Sequence, residues 1–347
     1  MTNTHKIFYL YLSTTLAIIF VVETALEYRH FNLGYTTPIF GRKTRNNTIS
    51  SPKSKNNNTI TYTQEKKFPF DIKEKFIKKN KAVHVWIASA SHAVGGRIHS
   101  KNVFPNLLCD SMQLKGSCKV INGSKEGMTV PQNVALLEKY SSYFKPDYAL
   151  LYQMSMIMAG QQRRLIQGDK NLPIKNKSIL DLTKVTKLFQ SLSLYGHLTD
   201  YIGGNIKLSG QLKNSLPRDL EEDFRQQILS FIDACNKNEV KPVLVSFAAS
   251  HNIKNIHQMN FTERTNFVKY NTYLSPVGWI NVISLYNNIL RSIATKNNVD
   301  LIDIEKTING RLNYFVDFVH FNKAGHRKVA NILANELKII ISHKGSL

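Results

Sequence analysis

The sequence predicts a three-layer, doubly wound α/β domain with about five parallel strands, preceded by one N-terminal transmembrane helix. Three observations carry that prediction. Short runs of nearly continuous apolar character recur along the chain, as strands do when helices cover both faces of a sheet. Amphipathic stretches of helical length separate them, the alternation expected of a parallel sheet. Near the start lies a longer, almost uncharged apolar run, "KIFYLYLSTTLAIIFVV", from Lys6 to Val22.

Residues 1–6 form a short tail. The apolar run closes at Glu23 and is followed by "VVETALEYRH", which lacks a small-x-small cleavage site. Residues 7–25 are therefore expected to be an uncleaved signal anchor, close to the lower limit for spanning a hydrocarbon core. Only Lys6 precedes the run, whereas Arg29, Arg42, Lys43 and Arg45 follow it. By the positive-inside rule alone, the main domain would face the cytoplasm. Residues 26–80 are polar and rich in Asn and Lys, the composition of a linker.

From residue 81 to residue 347 the pattern is that of a folded domain. Ala82–Ser89, Cys118–Asn122, Asp147–Gln153, Lys241–Ala248 and Val299–Ile304 are the expected strands. Asn102–Met112, Val130–Tyr143, Asp219–Asn238, Ile280–Asn298 and Asn322–Ile341 are the expected helices. In the third of these, Phe224, Ile228, Phe231, Ile232 and Cys235 share one face. Residues 154–218 exceed what a crossover needs and are expected to be an insertion near the strand ends, where such folds bind ligands.

Composition narrows the function. The chain has 347 residues, 42% of them hydrophobic, which excludes a largely disordered protein. Its 46 Lys and Arg against 24 Asp and Glu give a formal charge of +22. Such a surface favours anionic partners, but no zinc-finger spacing or aromatic RNA-binding signature accompanies it, so nucleic acid is not the expected partner. Cys109, Cys118 and Cys235 form no CxxC pair and no Cys/His cluster, which argues against structural zinc. A Cys109–Cys118 disulfide and three free thiols both remain open.

Chemistry concentrates after the first strand and before the last helix. In "IASASHAVGGRIHSKNVFPNLL" (Ile87–Leu108), Ser91 stands where the strand turns over, with Gly95 behind it. A serine becomes nucleophilic only with a base in reach and donors for the developing oxyanion. "DFVHFNKAGH" (Asp317–His326) supplies His320 as the base and Asp317, three residues earlier, to orient the imidazole.

Together these blocks resemble the SGNH, or GDSL-type, hydrolase family over roughly residues 82–337. Ser91 and Gly95 keep that family's serine-to-glycine spacing, and Pro105 and Leu108 match the P-x-x-L that often follows. Asn122 and Gly127 in "NGSKEGMT" match its second block, which makes both candidate oxyanion or substrate-binding residues, and Asp317 and His320 match its closing Asp-x-x-His. The resemblance implies a flavodoxin-like sheet, a Ser91–His320–Asp317 triad, and oxyanion donors from the backbone of Ser91 and Gly127. It departs from the family at two points. Ser89-Ala90 replaces Gly-Asp before the serine, and Met156 falls where a third-block Asn would donate its amide. Gln153 and Ser155 are the candidate replacements, because a thioether cannot donate.

The resemblance further implies a membrane-anchored serine esterase or acyl-transferring enzyme with an extracytoplasmic domain. Its expected substrate is an acylated glycan or lipid, and it needs no metal or cofactor. The alternative is a catalytically degenerate binding module for an envelope glycan or a partner protein.

Overall fold

The computed structural model describes residues 82–94, 98–113, 117–168, 212–271 and 273–343, a short strand at 59–61, and isolated helical positions from Thr14 to Ala25. Among the described residues no helix is long and apolar enough to cross a membrane. The predicted anchor at 7–25 otherwise lies outside them, as do Gly95 and residues 169–211 of the predicted insertion.

The strands are β1 (Thr59–Thr61), β2 (Val83–Ser89), β3 (Cys118–Asn122), β4 (Tyr148–Tyr152), β5 (Lys241–Val245) and β6 (Asp300–Ile302). The helices are α1 (Phe104–Met112), α2 (Val130–Phe144), α3 (Ser155–Gly168), α4 (Asp219–Lys237), α5 (Phe261–Tyr270), α6 (Pro276–Lys296), α7 (Glu305–Ile308) and α8 (Lys323–His343). All pairings are parallel, in the order β1-β3-β2-β4-β5-β6. The five expected strands are all present. One expectation needs correction: the sheet has a sixth strand, the edge strand β1, inside the segment read as linker. The predicted insertion opens with α3, which begins three residues after β4 ends.

The helices sort onto the two faces by the handedness of their crossovers. The chain steps from β2 to β3 in one direction through α1, then in the other through α2, α4 and α6. Right-handed crossovers place α1 opposite those three. α1 packs against α8, and α4 packs against both α2 and α6. Every residue of β2 is buried, as a central strand covered on both faces must be. Trp86, Val85 and Ile87 have no exposed surface, and Phe224, Ile228, Phe231 and Cys235 are buried on the inner face of α4.

This topology fixes where a ligand can sit. Strand order reverses between β2 and β4, so the connections leaving their carboxyl ends diverge and leave a crevice. Ser91 follows β2, and α3 follows β4.

Candidate active site

The turn that carries Ser91 is held at both ends. The Ser89 hydroxyl donates to the Tyr152 carbonyl at 2.6 Å, tying β2 to β4, and the Asn133 amide donates to the Ser89 carbonyl at 3.2 Å. Ala90 leaves the strand, and Ser91–Ala93 form one 3-10 turn. The Asn122 amide donates to the Ala93 carbonyl at 2.8 Å, and its own side-chain oxygen accepts from the Ser124 N–H at 3.2 Å. Asn122 is thus a buried brace beneath the turn, with its polar atoms engaged within the fold.

His320 arrives on an equally constrained loop. Phe315 and Phe321 pair as an antiparallel bridge, and the Val316 N–H donates to the His320 carbonyl at 2.9 Å. Asp317 Oδ1 accepts from the backbone N–H groups of Val319 at 3.0 Å and His320 at 2.8 Å. Asn322 caps α8 by accepting from the Gly325 N–H at 2.9 Å. A Cβ at Gly325 would lie 2.0 Å from the Tyr314 carbonyl oxygen, so only glycine lets the helix start approach the loop this closely. The D-x-x-H-x-N-x-x-G spacing is therefore one folding unit that presents His320.

These two units meet. Ser91 Oγ lies 2.8 Å from His320 Nε2. His320 Nδ1 lies 2.8 Å from Asp317 Oδ2 and 3.0 Å from Oδ1. With Asp317 ionised, the carboxylate accepts a hydrogen bond from the Nδ1–H group, which leaves Nε2 as the acceptor for the serine hydroxyl. Both His320 and Asp317 keep about a third of their side-chain surface exposed, at 30% and 29%, so the site is open to an incoming molecule.

The remaining predicted residues divide. Gly127 adopts φ +72°, is exposed, and has no atom within 4 Å of the position its Cβ would take. The Gln153 amide is buried and donates to the Met128 carbonyl, so it braces the Gly127 loop rather than facing a substrate. Ser155 is the first residue of α3, and its Oγ lies 3.1 Å from His92 Nε2. Met156 is half-buried one position further along that helix.

His92 is the residue the sequence motifs missed, although it adjoins Ser91. It is 2% exposed, stacks on the His320 ring at 5.4 Å and 19°, and meets the rings of Tyr152 and Phe247 edge-on. Burial, reinforced by repulsion from His320, lowers its pKa to about 3, with Asp317 opposing. His326 is likewise buried, accepts from the Phe104 N–H at 3.2 Å, and has its pKa lowered to about 3 by burial and by His320. Both rings are neutral beside the only histidine of the three that reaches the serine. Among the described residues no group of three or more His, Cys, Asp or Glu side chains is arranged to hold a metal ion.

No family model matches the chain, and no curated protein does. Solved structures do. A lipase/acylhydrolase from Enterococcus faecalis is 12% identical, with 74% of this chain and 95% of that one covered and a TM-score of 0.44. A GDSL-like lipase from Bacteroides thetaiotaomicron is 13% identical, with 78% and 92% covered and a TM-score of 0.41. A catalytic mutant of an acetylxylan esterase from Geobacillus stearothermophilus is 11% identical, with 75% and 96% covered and a TM-score of 0.43. The neighbours include the family that the sequence blocks resemble. What the site can do rests on its own geometry.

Proposed function

We propose that this chain is a serine ester hydrolase or acyl-transferring enzyme of the SGNH type, tethered to a membrane through its N-terminal apolar segment. The observation that carries this reading is the 2.8 Å contact between Ser91 Oγ and His320 Nε2, made across 229 residues of sequence. Ser91 Oγ attacks the ester carbonyl while His320 Nε2 takes its proton. The ester then breaks to its alkoxide, which receives that proton from His320 and leaves as the alcohol. Asp317 holds the Nδ1 proton and supports the imidazolium. The Ser91 and Gly127 backbone N–H groups receive the oxyanion. Gly127 suits this role because its loop is exposed and braced from beneath by Gln153. Water resolves the acyl-enzyme in hydrolysis, and a sugar hydroxyl does so in transfer.

The proposed substrate is an O-acylated glycan or lipid, in keeping with a membrane tether and a basic surface. On this reading the domain lies outside the cytoplasm. Support comes from the disulfide between Cys109 and Cys118, a bond that persists mainly in oxidising compartments. Of the two cysteine alternatives this is the first, with Cys235 left as a buried free thiol. The binding-module reading draws on Met156, which supplies no amide where the family has one.

Hydrolysis of a chromogenic acetyl ester by the full chain tests the proposal. Wild type is expected to turn over, and Ser91→Ala to lose all but background while keeping its thermal unfolding transition. Equal rates in the two proteins would remove the mechanism.

A further inference from the structure

We infer that Ser155 is the third oxyanion donor of this site and that His92 is the positioning residue that frees its proton for that task. The inference rests on the proposed ester chemistry and deepens it. Three groups near the crevice could replace the missing amide, and two are disqualified. The Gln153 amide is committed to the Met128 carbonyl, and the Met156 sulfur has no proton to give. Ser155 remains. It follows β4 across the switch point from Ser91, and its hydroxyl touches the ring of the residue next to the nucleophile.

A hydroxyl has one proton. If Ser155 donates it to His92, nothing is left for an oxyanion. The direction of that bond is decided by the other ring nitrogen. His92 Nδ1 is buried and meets no hydrogen-bonding group among the described residues. The neutral ring carries one proton, so one tautomer buries an orphan N–H at Nδ1, and the other buries only an unused lone pair. Orphan buried N–H groups are the rarer and costlier defect. The favoured tautomer is therefore protonated at Nε2. In it, His92 Nε2–H donates to Ser155 Oγ, and the Ser155 proton points elsewhere.

The ring itself cannot swing away. It is stacked on His320 and wedged edge-on against Tyr152 and Phe247. A neutral ring in this place also spares the imidazolium that forms on His320 from a second positive charge. Ser155 opens α3, so its hydroxyl stands at the helix end whose backbone N–H groups are unpaired, which favours negative charge nearby. As Ser91 Oγ bonds to the carbonyl carbon, the π electrons pass to oxygen. The Ser155 O–H then strengthens its hydrogen bond to that oxygen.

Two measurements test this on the full-length chain. The first is the ¹⁵N NMR signature of His92 in wild type, which needs no substrate. Protonation at Nε2 is expected, and protonation at Nδ1 overturns the inference. The second is acetyl-ester kinetics. Ser155→Ala is expected to lower kcat on the order of a hundredfold with little change in KM, since the lost contact exists only in the transition state. His92→Gln, which keeps a donor, is expected to retain most of kcat. His92→Phe is expected to fall with Ser155→Ala, and the double variant to be no worse than either. Ser155→Ala within about threefold of wild type, far short of the loss of one such donor, overturns the inference and leaves the proposed function standing. A wild type that cleaves no ester overturns both.

Discussion

Three side chains are brought together here by two short folding units, and each unit leaves a recognisable trace in sequence. Asp317 shows the limit of that trace most clearly. An Asp three residues before a His is common, but here the carboxylate also accepts two backbone N–H groups at 3.0 and 2.8 Å. It is fixed before it touches the imidazole. Asp317→Asn should keep this geometry but favour the wrong imidazole tautomer, lowering kcat by on the order of 10⁴-fold. Ester kinetics at neutral pH check it, and a loss below about tenfold would argue that Asp317 only shapes the loop. Ser91, Asp317 and His320 were legible because Ser91 stands in the turn out of a continuous apolar strand and the Asp-x-x-His pair directly precedes the last amphipathic helix. The roles of Asn122 and Gln153 were not. Both were read as facing a substrate, whereas their amides brace the Ala93 and Met128 carbonyls, and residue type alone cannot say which way an amide points. His92 was invisible for a related reason, since its importance comes from stacking on a residue far away in the chain.

At the scale of elements, the continuous apolar runs identified β2 to β6 because a strand covered on both faces has no polar side to obscure it. β1 was not legible. Its three residues, Thr-Ile-Thr, sit in a polar segment and pair only at the sheet edge. α3 falls within the predicted insertion, because its buried face carries Gln161 and Gln162 after Ile157 and Met158 and so lacks the continuous apolar stripe of α4. Cysteine spacing left a Cys109–Cys118 disulfide and three free thiols both open, and the structure joins Cys109 on α1 to Cys118 on β3, nine positions apart, with their Cα atoms 5.5 Å apart. The bond ties the helix that follows the Ser91 turn to the sheet. Replacing both cysteines by serine is expected to cost about 2–3 kcal/mol. Urea unfolding of the purified chain checks this. A change under about 0.5 kcal/mol would mean the bond contributes little to folding.

At the scale of the molecule, the neutral histidines packed beneath the site link stability to pH. His92 and His326 ionise at about 3 in the folded state against an ordinary value of 6.5. Between those values the unfolded chain binds protons that the folded chain does not. Their contribution is therefore fully present above pH 6.5 and declines as pH falls, by about 1.4 kcal/mol per pH unit for each ring. Melting temperature should drop steadily from pH 6.5 to 4.5, a window above the range in which most carboxylates titrate. A flat profile there would mean that neither ring is held buried and neutral. The central claim is narrower, namely that Ser91 is reactive because His320 and Asp317 make it so. A fluorophosphonate probe tests it most directly, since it reports the nucleophile without knowledge of the natural ester. The account predicts covalent labelling at Ser91, found by mass spectrometry of the peptide, and its suppression in His320→Ala. An unlabelled Ser91 in folded wild type, or equal labelling without His320, would contradict it.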